Sequence, residues 1–399
     1  MTPWLILCWL ALTSPLLVLL LLDSLLRVFL LVISRFPSAG RAVSGGGRSS
    51  IRMAAIIPAC NEAGVIADTV ARLHKQLPEG GLFVIADNCS DGTATAARQA
   101  GAQVWERWDA DERGKGAALR WFLKSAASEL ESYAAVAVFD ADSVVADDFL
   151  VRAGEVLADG SQVVQGFVNP LSGGSPAADL AAYSEILSQR IDDAARERLG
   201  WPAPLRGTGM VFRHELLTSL LPGLCTRVED VELSLYLAAR GQPVRFAPAA
   251  VVGDPKPALP RGVATQRARW LQGQREVLQR HGRLVARLLL SGRPGNVSLV
   301  FATLLKPKTV VLAVKGLYLA ILLLLPAQSV AWGWLATGLA GLAFALDWVY
   351  YAVGLALVEN RGRYARALAQ APVYFVVWMW GLVLSLVSAQ AWLSARRDS

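Results

Sequence analysis

Residues 134–143, Ala-Ala-Val-Ala-Val-Phe-Asp-Ala-Asp-Ser, decide the fold class. The short apolar run predicts a buried strand, and two carboxylates, Asp140 and Asp142, follow directly after it. Ligands of open α/β sheets bind at the carboxyl ends of strands, so these acids are expected to meet a substrate. Carboxylates one residue apart suit a hard divalent cation that also binds phosphate oxygens. An isolated Asp-x-Asp is more often a turn that caps the next helix.

The composition predicts a soluble domain joined to membrane helices. The 399 residues are 54% hydrophobic with a mean hydropathy of +0.40, which is too apolar for an ordinary soluble protein. Much of the net charge of +7 flanks apolar runs, where cytoplasmic loops collect basic residues. No nucleic-acid-binding signature accompanies it, so nucleic acid is not an expected partner. The four cysteines show no metal spacing and no disulfide framework, which favours a reducing cytosolic setting.

The apolar segments predict a multi-pass protein of the inner (plasma) membrane. Residues 1–34 are predicted to form an uncleaved anchor, because no positive charge precedes an apolar stretch that is longer than a signal-peptide core. The predicted order continues with a basic flexible linker (35–50), a cytosolic domain (51–260), amphipathic interfacial helices (261–308), about three spans (309–325, 330–357 and 373–393) and a tail (394–399). A helix packed on the soluble domain stays an alternative for the interfacial segment.

Strand and helix patterns alternate through the cytosolic domain, which predicts a mostly parallel α/β sheet with right-handed crossovers. Strands are predicted at residues 53–58, 82–86, 103–106, 134–139, 162–168 and 244–252, and helices at 61–76, 92–100, 114–128, 145–157, 177–198 and 230–240.

Four further clusters lie at predicted strand ends or helix starts. They are residues 57–62 (Ile-Pro-Ala-Cys-Asn-Glu), 86–93 (Ala-Asp-Asn-Cys-Ser-Asp-Gly-Thr), 111–116 (Asp-Glu-Arg-Gly-Lys-Gly), and 228–230 (Val-Glu-Asp) with 266–270 (Gln-Arg-Ala-Arg-Trp). A lysine between two glycines at a helix N-terminus can approach a phosphate. A carboxylate at a helix N-terminus can act as general base, and arginine suits a diphosphate leaving group. Singly, each cluster is equally well a turn, a helix cap or a membrane anchor.

In this order, the clusters resemble those of the membrane-integrated family-2 inverting glycosyltransferases, which include cellulose, hyaluronan and poly-N-acetylglucosamine synthases. The resemblance covers residues 51–274. It implies a GT-A (Rossmann-like) fold, a UDP-sugar donor, Mg²⁺ or Mn²⁺ as cofactor, and an inverting transfer that forms a β-linkage.

The resemblance also implies residue roles. Asp230 would be the catalytic base, and Asp142 would ligate the metal. The donor would contact Pro58, Glu62, Asp87, Lys115, Asp140, Gln266 and Arg269. The acceptor would contact Gly207, Thr208, Gly209, Glu229 and Trp270.

The product stays open. A counterpart of the cellulose synthase regulatory domain is absent from the sequence, and so is the Phe-x-Val-Thr-x-Lys gating segment. A wide polymer channel is hard to build from about four spans. The expected acceptor is therefore a polysaccharide, in exopolysaccharide synthesis, or a lipid, as in ceramide glucosyltransferases. Membrane lipids are expected partners, and a homo-oligomer or accessory subunit stays open. A non-catalytic scaffold is disfavoured because Asp140, Asp142, Asp230 and Arg269 are all present.

Overall fold

The computed structural model describes residues 3–36, 51–171, 174–256, 260–305, 308–324 and 330–371. The strands are β1 (Met53–Ala59), β2 (Leu82–Asp87), β3 (Gln103–Arg107), β4 (Ala135–Val138), β5 (Val144–Val145), β6 (Val163–Leu171), β7 (Met210–Arg213) and β8 (Val244–Pro255). The helices are α1 (Pro3–Ile33), α2 (Ile66–Gln76), α3 (Thr93–Gln99), α4 (Lys115–Ser125), α5 (Ala127–Leu130), α6 (Phe149–Ala158), α7 (Pro176–Leu187), α8 (Ala194–Leu199), α9 (His214–Leu220), α10 (Glu229–Ala239), α11 (Pro260–Leu289), α12 (Pro294–Leu304), α13 (Lys308–Leu324), α14 (Ala331–Gly354) and α15 (Arg361–Ala369).

The strands form one sheet in the order β3-β2-β1-β4-β7-β6-β8-β5. Strands β1 to β4 are parallel, as predicted. The prediction of a mostly parallel sheet is wrong for the centre, because β7 lies antiparallel between β4 and β6. Beyond it, β8 is parallel to β6, and the short β5 is antiparallel to β8. This arrangement brings the start of β7 to the edge where β4 ends.

Helices cover both faces of the sheet, which explains why its strands are apolar without alternation. Along β1, Ile57 faces a core cluster that includes residues of α2 and α6, and Ile56 faces a cluster that includes residues of α4 and α10. Both side chains are fully buried. The two layers hold the strand ends rigidly, and those ends form the candidate site.

Several element boundaries differ from the predictions. The helix predicted from residue 61 begins at Ile66, because Asn61 has a φ of 56° and a turn follows it. The helix predicted from residue 145 begins at Phe149, since the two valines before it pair with β8. The helix predicted at 177–198 is interrupted by a π-helical turn at Ser188–Asp193. Strand β7 and helix α9 were not predicted.

Helix α11 consists of two helical segments joined at a kink, where His281 has non-helical dihedral angles (φ −119°, ψ 17°). Its described apolar side chains include Val277 and Val285, which are buried with Val231 of α10. This part of α11 therefore packs on the α/β domain, which was the alternative to a helix on the membrane surface.

Among the described residues, two helices are long and apolar enough to cross a membrane, Leu7–Ile33 and Ala331–Leu357. Two shorter apolar helices are Pro294–Leu304 and Val310–Leu324. Helix α1 packs along α14, and α14 packs along α13. The predicted span at 373–393 and the linker at 37–50 lie outside the described residues. By length and composition alone, Leu7–Ile33 coincides with the predicted anchor and Ala331–Leu357 with one of the predicted later spans.

Candidate active site

The predicted site residues come from different elements that end at one edge of the sheet. Strands β1, β2 and β4 are parallel, so the residues that follow them lie side by side. Because β7 is antiparallel to β4, the residues before β7 lie at this edge too. Helices α4 and α10 begin there: a Cβ added to Gly116 would lie 3.4 Å from Glu229 Cβ.

Lys115 is the central cation of the site. Its Nζ lies 2.7 Å from Asp140 Oδ1 and 3.7 Å from Glu229 Oε1, and it donates to the carbonyl oxygen of Gly207. Burial lowers the pKa of Lys115, but Asp140 and Glu229 outweigh burial and raise it. Lys115 therefore stays charged and joins residues predicted for the donor and for the acceptor.

Glu229 and Asp230 open helix α10, where the N-terminal end of the helix dipole favours negative charge. Glu229 is buried, and this burial raises its pKa to about 7, against the opposing charge of Lys115 and with the charge of Asp230. Asp230 is half-buried beside it. The two neighbouring acids thus have different environments, and near neutral pH Glu229 keeps its proton more readily than an ordinary carboxyl group does.

The turn after β4 is held from two sides. The Asp140 N–H donates to Thr208 Oγ1 at 3.2 Å, and the hydroxyls of Ser143 and Thr208 are 2.7 Å apart. From the other side, Thr69 Oγ1 lies 2.9 Å from the carbonyl oxygens of Ala141 and Ser143. The Asp140 side chain is 43% exposed, and Asp142 is half-buried. Both carboxylates are thus fixed at the backbone while remaining accessible.

Backbone conformation and close packing constrain the residue types that segment 207–209 can hold. Gly207 and Gly209 have φ values of 84° and 64°, and a Cβ on Gly209 would lie 2.7 Å from Val252 Cγ1. Glycine is therefore required at this position. Between them, Thr208 is buried, and its carbonyl oxygen accepts from Gln165 Nε2 at 3.0 Å. The segment presents the Gly207 carbonyl oxygen to Lys115, and its role beside the acceptor stays a prediction.

The turns after β1 and β2 interlock. Both contain an asparagine with positive φ, Asn61 and Asn88. Asn61 Oδ1 accepts from the Ser90 N–H at 2.8 Å, and the Glu62 N–H donates to Thr93 Oγ1 at 2.8 Å. Pro58 lies half-buried on β1. These contacts place Pro58 and Glu62 beside the end of β2.

Asp87 lies at the end of β2, but its carboxylate is already paired. It is buried, and its Oδ1 accepts from Arg107 at 2.7 Å and from Asn88 Nδ2 at 3.0 Å. Arg107 also reaches Asp109 and the Glu112 carbonyl oxygen. Asp87 thus holds together the loop that leads to Lys115.

Helix α11 approaches the start of α10 closely. A Cβ on Gly273 would lie 2.3 Å from Val228 Cγ1, so this contact requires glycine. Trp270, one turn earlier on α11, is half-buried. The side chains of residues 260–269 lie outside the described part of the structure, and the roles predicted for Gln266 and Arg269 stay predictions.

The donor set at the strand ends fits Mg²⁺ or Mn²⁺. Asp254 near the end of β8 is close enough to Asp140 for their charges to interact, and its Oδ2 pairs with Lys256 Nζ at 2.5 Å. Burial raises the pKa of Asp254, and the charge of Asp140 adds to this effect although Lys256 opposes it. Carboxylate oxygens are the ligands that these hard cations prefer.

Asp254 could have been found from the sequence. It follows residues 244–252, a predicted strand, in the way that Asp140 follows β4. The pairing of Asp87 with Arg107 joins the ends of two strands, 20 positions apart in the sequence, and no local pattern indicates it.

An eight-stranded mixed α/β sheet with acids and a lysine at one edge defines a GT-A type, Rossmann-like domain. The family model described as "Glycosyltransferase like family 2" matches residues 51–273. The chain therefore belongs to this glycosyltransferase family. No curated protein matches the sequence.

The chain is also similar to solved structures of other proteins. The mannosyltransferase PcManGT from Pyrobaculum calidifontis, solved with GDP-Man and Mn²⁺, matches 95% of this chain and 99% of its own with a TM-score of 0.54 and 19% identity. Glucosyl-3-phosphoglycerate synthase from Mycobacterium tuberculosis, solved with Mg²⁺ and uridine diphosphate, matches 52% of this chain and 71% of its own, with a TM-score of 0.36 and 24% identity. The first similarity extends over nearly the whole chain and shows the fold.

Proposed function

We propose that the chain is a metal-dependent, inverting glycosyltransferase that transfers a sugar from a UDP-sugar to a hydroxyl acceptor with β-linkage. The observation that carries this proposal is the joining of Asp140, Glu229 and the Gly207 carbonyl by Lys115, with Asp230 next in sequence. Donor and acceptor residues of the predicted site thus meet at one ammonium group.

In this proposal, Asp230 accepts the proton of the acceptor hydroxyl as general base. The hydroxyl oxygen bonds to the anomeric carbon while the bond from that carbon to the diphosphate oxygen breaks, and UDP leaves with the electron pair. Attack from the opposite side converts an α-linked donor into a β-linked product. Glu229, protonated near neutral pH, donates a hydrogen bond to the acceptor. Gln266 and Arg269 hold the diphosphate, and Trp270 forms a flat surface for the acceptor sugar.

Asp142 is the proposed metal ligand, with Asp140 and Asp254 beside it. Support comes from the carboxylates at the strand ends and from the Mn²⁺ or Mg²⁺ in solved structures of similar fold. When bound, such an ion neutralises charge that develops on the leaving diphosphate. Pro58, Glu62 and Asp87 are proposed to border the nucleoside.

We place the enzyme in the inner membrane as a multi-pass protein with its catalytic domain in the cytoplasm. The two long apolar helices and the basic loops support this placement. Membrane lipids then surround the helices, and the product is an exopolysaccharide. Transfer of one sugar to a lipid is the alternative acceptor chemistry.

The test measures nucleotide release by the detergent-purified full chain with Mg²⁺ or Mn²⁺. Donors are UDP-glucose, UDP-N-acetylglucosamine, UDP-galactose, UDP-glucuronate and, because of the fold neighbour, GDP-mannose. We expect turnover with one UDP-sugar. The product mass then distinguishes a polymer from a single glycolipid. Exclusive use of GDP-mannose would contradict the proposal that the donor carries uridine diphosphate. Metal-independent turnover would contradict the proposed metal cofactor.

A further inference from the structure

Three potential metal ligands meet outside the candidate active site. Cys225 Sγ lies 3.3 Å from Glu232 Oε1 and 3.5 Å from His281 Nε2, and the last two atoms are 2.6 Å apart. All three atoms lie within 4.8 Å of one another. The proposed transfer uses none of them, so their convergence needs a separate explanation.

The three residues come from different elements. Cys225 lies in the loop before α10, Glu232 one turn into α10, and His281 is the non-helical residue inside α11. Glu232 is fully buried, and its carboxylate accepts backbone N–H groups from Cys225 and Thr226 at 3.0 to 3.1 Å. Its position is therefore fixed before any ion binds. Cys225, by contrast, is exposed, which leaves a path from solvent.

The separations fit a tetrahedral zinc site. Usual Zn–S, Zn–N and Zn–O bond lengths give ligand atoms that are about 3.4 to 3.6 Å apart in a tetrahedron. The two separations that involve Cys225 are already at or close to this range. The third is a hydrogen bond between His281 and Glu232, which must widen by about 0.8 Å when an ion replaces the proton.

We propose that Cys225, Glu232 and His281 bind Zn²⁺, with water as the fourth ligand on the exposed side. A thiolate and an imidazole select zinc over the Mg²⁺ or Mn²⁺ that suits the carboxylates of the active site. Binding breaks the S–H bond, whose proton leaves to solvent. It also displaces the proton between His281 Nε2 and Glu232, which moves to Nδ1 or to solvent. The site is thus a second metal centre that differs in ligand chemistry from the first.

Neighbouring groups support this arrangement. The ring of Tyr236 packs edge-on against the His281 ring at 5.4 Å, and its hydroxyl donates to the Gly223 carbonyl oxygen at 2.8 Å. These contacts orient the imidazole. Burial and Glu232 raise the pKa of the Cys225 thiol and outweigh Arg280, so the thiol keeps its proton until a cation displaces it.

The zinc ion would act as a clip between two helices of the active site. Glu232 is on the helix that begins with Glu229 and Asp230. His281 is on the helix that carries Trp270 and closely contacts Val228 through Gly273. An ion that links the two fixes the bend of α11 against α10. Cys225, Glu232 and His281 are therefore positioning residues.

The test is metal content of the full chain, purified in detergent without a histidine tag, incubated with Zn²⁺ and separated from free metal. We expect about one zinc per chain, retained by the Asp142→Asn variant because the active-site acids are not its ligands. Cys225→Ser and His281→Ala should reduce retention at least tenfold. Cys8→Ser and His214→Ala are the matched controls, one exposed cysteine and one histidine outside the cluster.

Co²⁺ gives a second readout, because a bound thiolate produces a charge-transfer band and tetrahedral cobalt absorbs strongly in the visible range. We expect both signals in the wild type and neither in Cys225→Ser. Circular dichroism checks that the variants are folded. Zinc below 0.1 per wild-type chain, or retention unchanged in both ligand variants, would overturn the proposal. These readouts need no donor turnover, so they stand or fall separately from the proposed transferase activity.

Discussion

Two clusters of charged side chains in this molecule differ in composition and exposure. Among the apolar helices, Asp23 and Arg27 of α1 meet Lys315 of α13 and Asp347 of α14, and each is at most 5% exposed. At the sheet edge, Lys115 meets Asp140 and Glu229, and Asp140 remains 43% exposed. The first cluster has two positive and two negative groups, whereas the second has one ammonium group for two carboxyl groups.

Lys315 is fully provided with acceptors. Its Nζ lies 2.7 Å from Asp23 Oδ2, 2.8 Å from Asp347 Oδ2 and 2.7 Å from Ser24 Oγ, one acceptor for each of its three protons. Arg27 lies 2.9 Å from Asp23, although its N–H groups make no aligned hydrogen bond with the described residues. The two positive and two negative charges of the cluster balance, and we call it the closed charge network. Charged side chains among apolar helices are usually paired with one another in this way.

The difference in charge balance and exposure indicates a structural role for the first cluster and a ligand-binding role for the second. A neutral and buried network needs nothing from solution, so its effect is to fix the register of α1 against α13 and α14. The sheet-edge cluster is partly exposed, so a ligand from solution can reach it. We therefore expect substitutions in the first cluster to change stability and those in the second to change activity.

The largest expected effect is on catalysis. Asp230→Asn removes the proposed base, and we expect a fall in turnover of about 10³-fold, within the usual range for loss of a general base. The measurement is nucleotide release at saturating donor. Asp159→Asn, an exposed aspartate at the end of α6, is the control and should keep wild-type turnover. Equal turnover in both variants would refute the role of Asp230.

The next effect is on stability. Lys315→Met removes one of the two positive charges of the cluster, so the buried Asp23 and Asp347 share Arg27 alone. We expect a loss of about 3 to 5 kcal/mol in the free energy of unfolding. The measurement is unfolding of the full chain in detergent. Adding Asp347→Asn should restore part of the loss, because it restores neutrality.

The exposed Lys75 on α2 provides the control, and Lys75→Met should change stability by at most about 0.5 kcal/mol. If Lys315→Met were as harmless as this control, the four charges would not form the closed network described above.

A third effect depends on pH. The folded protein raises the pKa of Glu229 from 4.5 to about 7. The protonated form is therefore favoured on folding. This contribution is complete below pH 4.5 and is lost as pH rises through 7, at most about 3 kcal/mol. The glutamine of Glu229→Gln stays neutral at every pH. The unfolding free energy of the variant minus that of the wild type should therefore be larger at pH 8 than at pH 5.

The measurement is the unfolding free energy of both proteins at the two pH values, with the exposed Glu215→Gln as control. A difference between Glu229→Gln and wild type that is the same at pH 5 and pH 8 would show that Glu229 titrates normally.

The sequence predicted what depends on local pattern. Strand-end acids such as Asp140, the glycines around Lys115 and the acids that begin α10 all have a local signature, and the structure brings them to one edge. The family match confirms the class of enzyme that these motifs indicated.

What the sequence did not predict depends on contacts between distant residues. Strand β7 is short, and only its pairing with β4 and β6 makes it a strand. The cluster of Cys225 with His281 joins residues 56 positions apart, so no metal-binding spacing appears. The closed charge network likewise joins residues of α1 to Lys315 and Asp347, and in the sequence Asp23 and Arg27 merely interrupt the apolar run at residues 3–33.

The smallest expected effect tests whether helix α2 helps to position the carboxylates at the sheet edge. Thr69 on α2 is buried and donates to the carbonyl oxygens of Ala141 and Ser143. Thr69→Val keeps the shape and removes the donor, so we expect a loss of about 1 kcal/mol in stability. Because these carbonyls belong to the turn of Asp140 and Asp142, the Mn²⁺ concentration for half-maximal turnover should rise a few-fold. Thr218→Val, whose exposed hydroxyl bonds only within α9, should change neither quantity. A stability loss without a change in Mn²⁺ requirement would mean that the sheet-edge carboxylates keep their positions without the Thr69 hydrogen bonds. Helix α2 would then contribute packing alone.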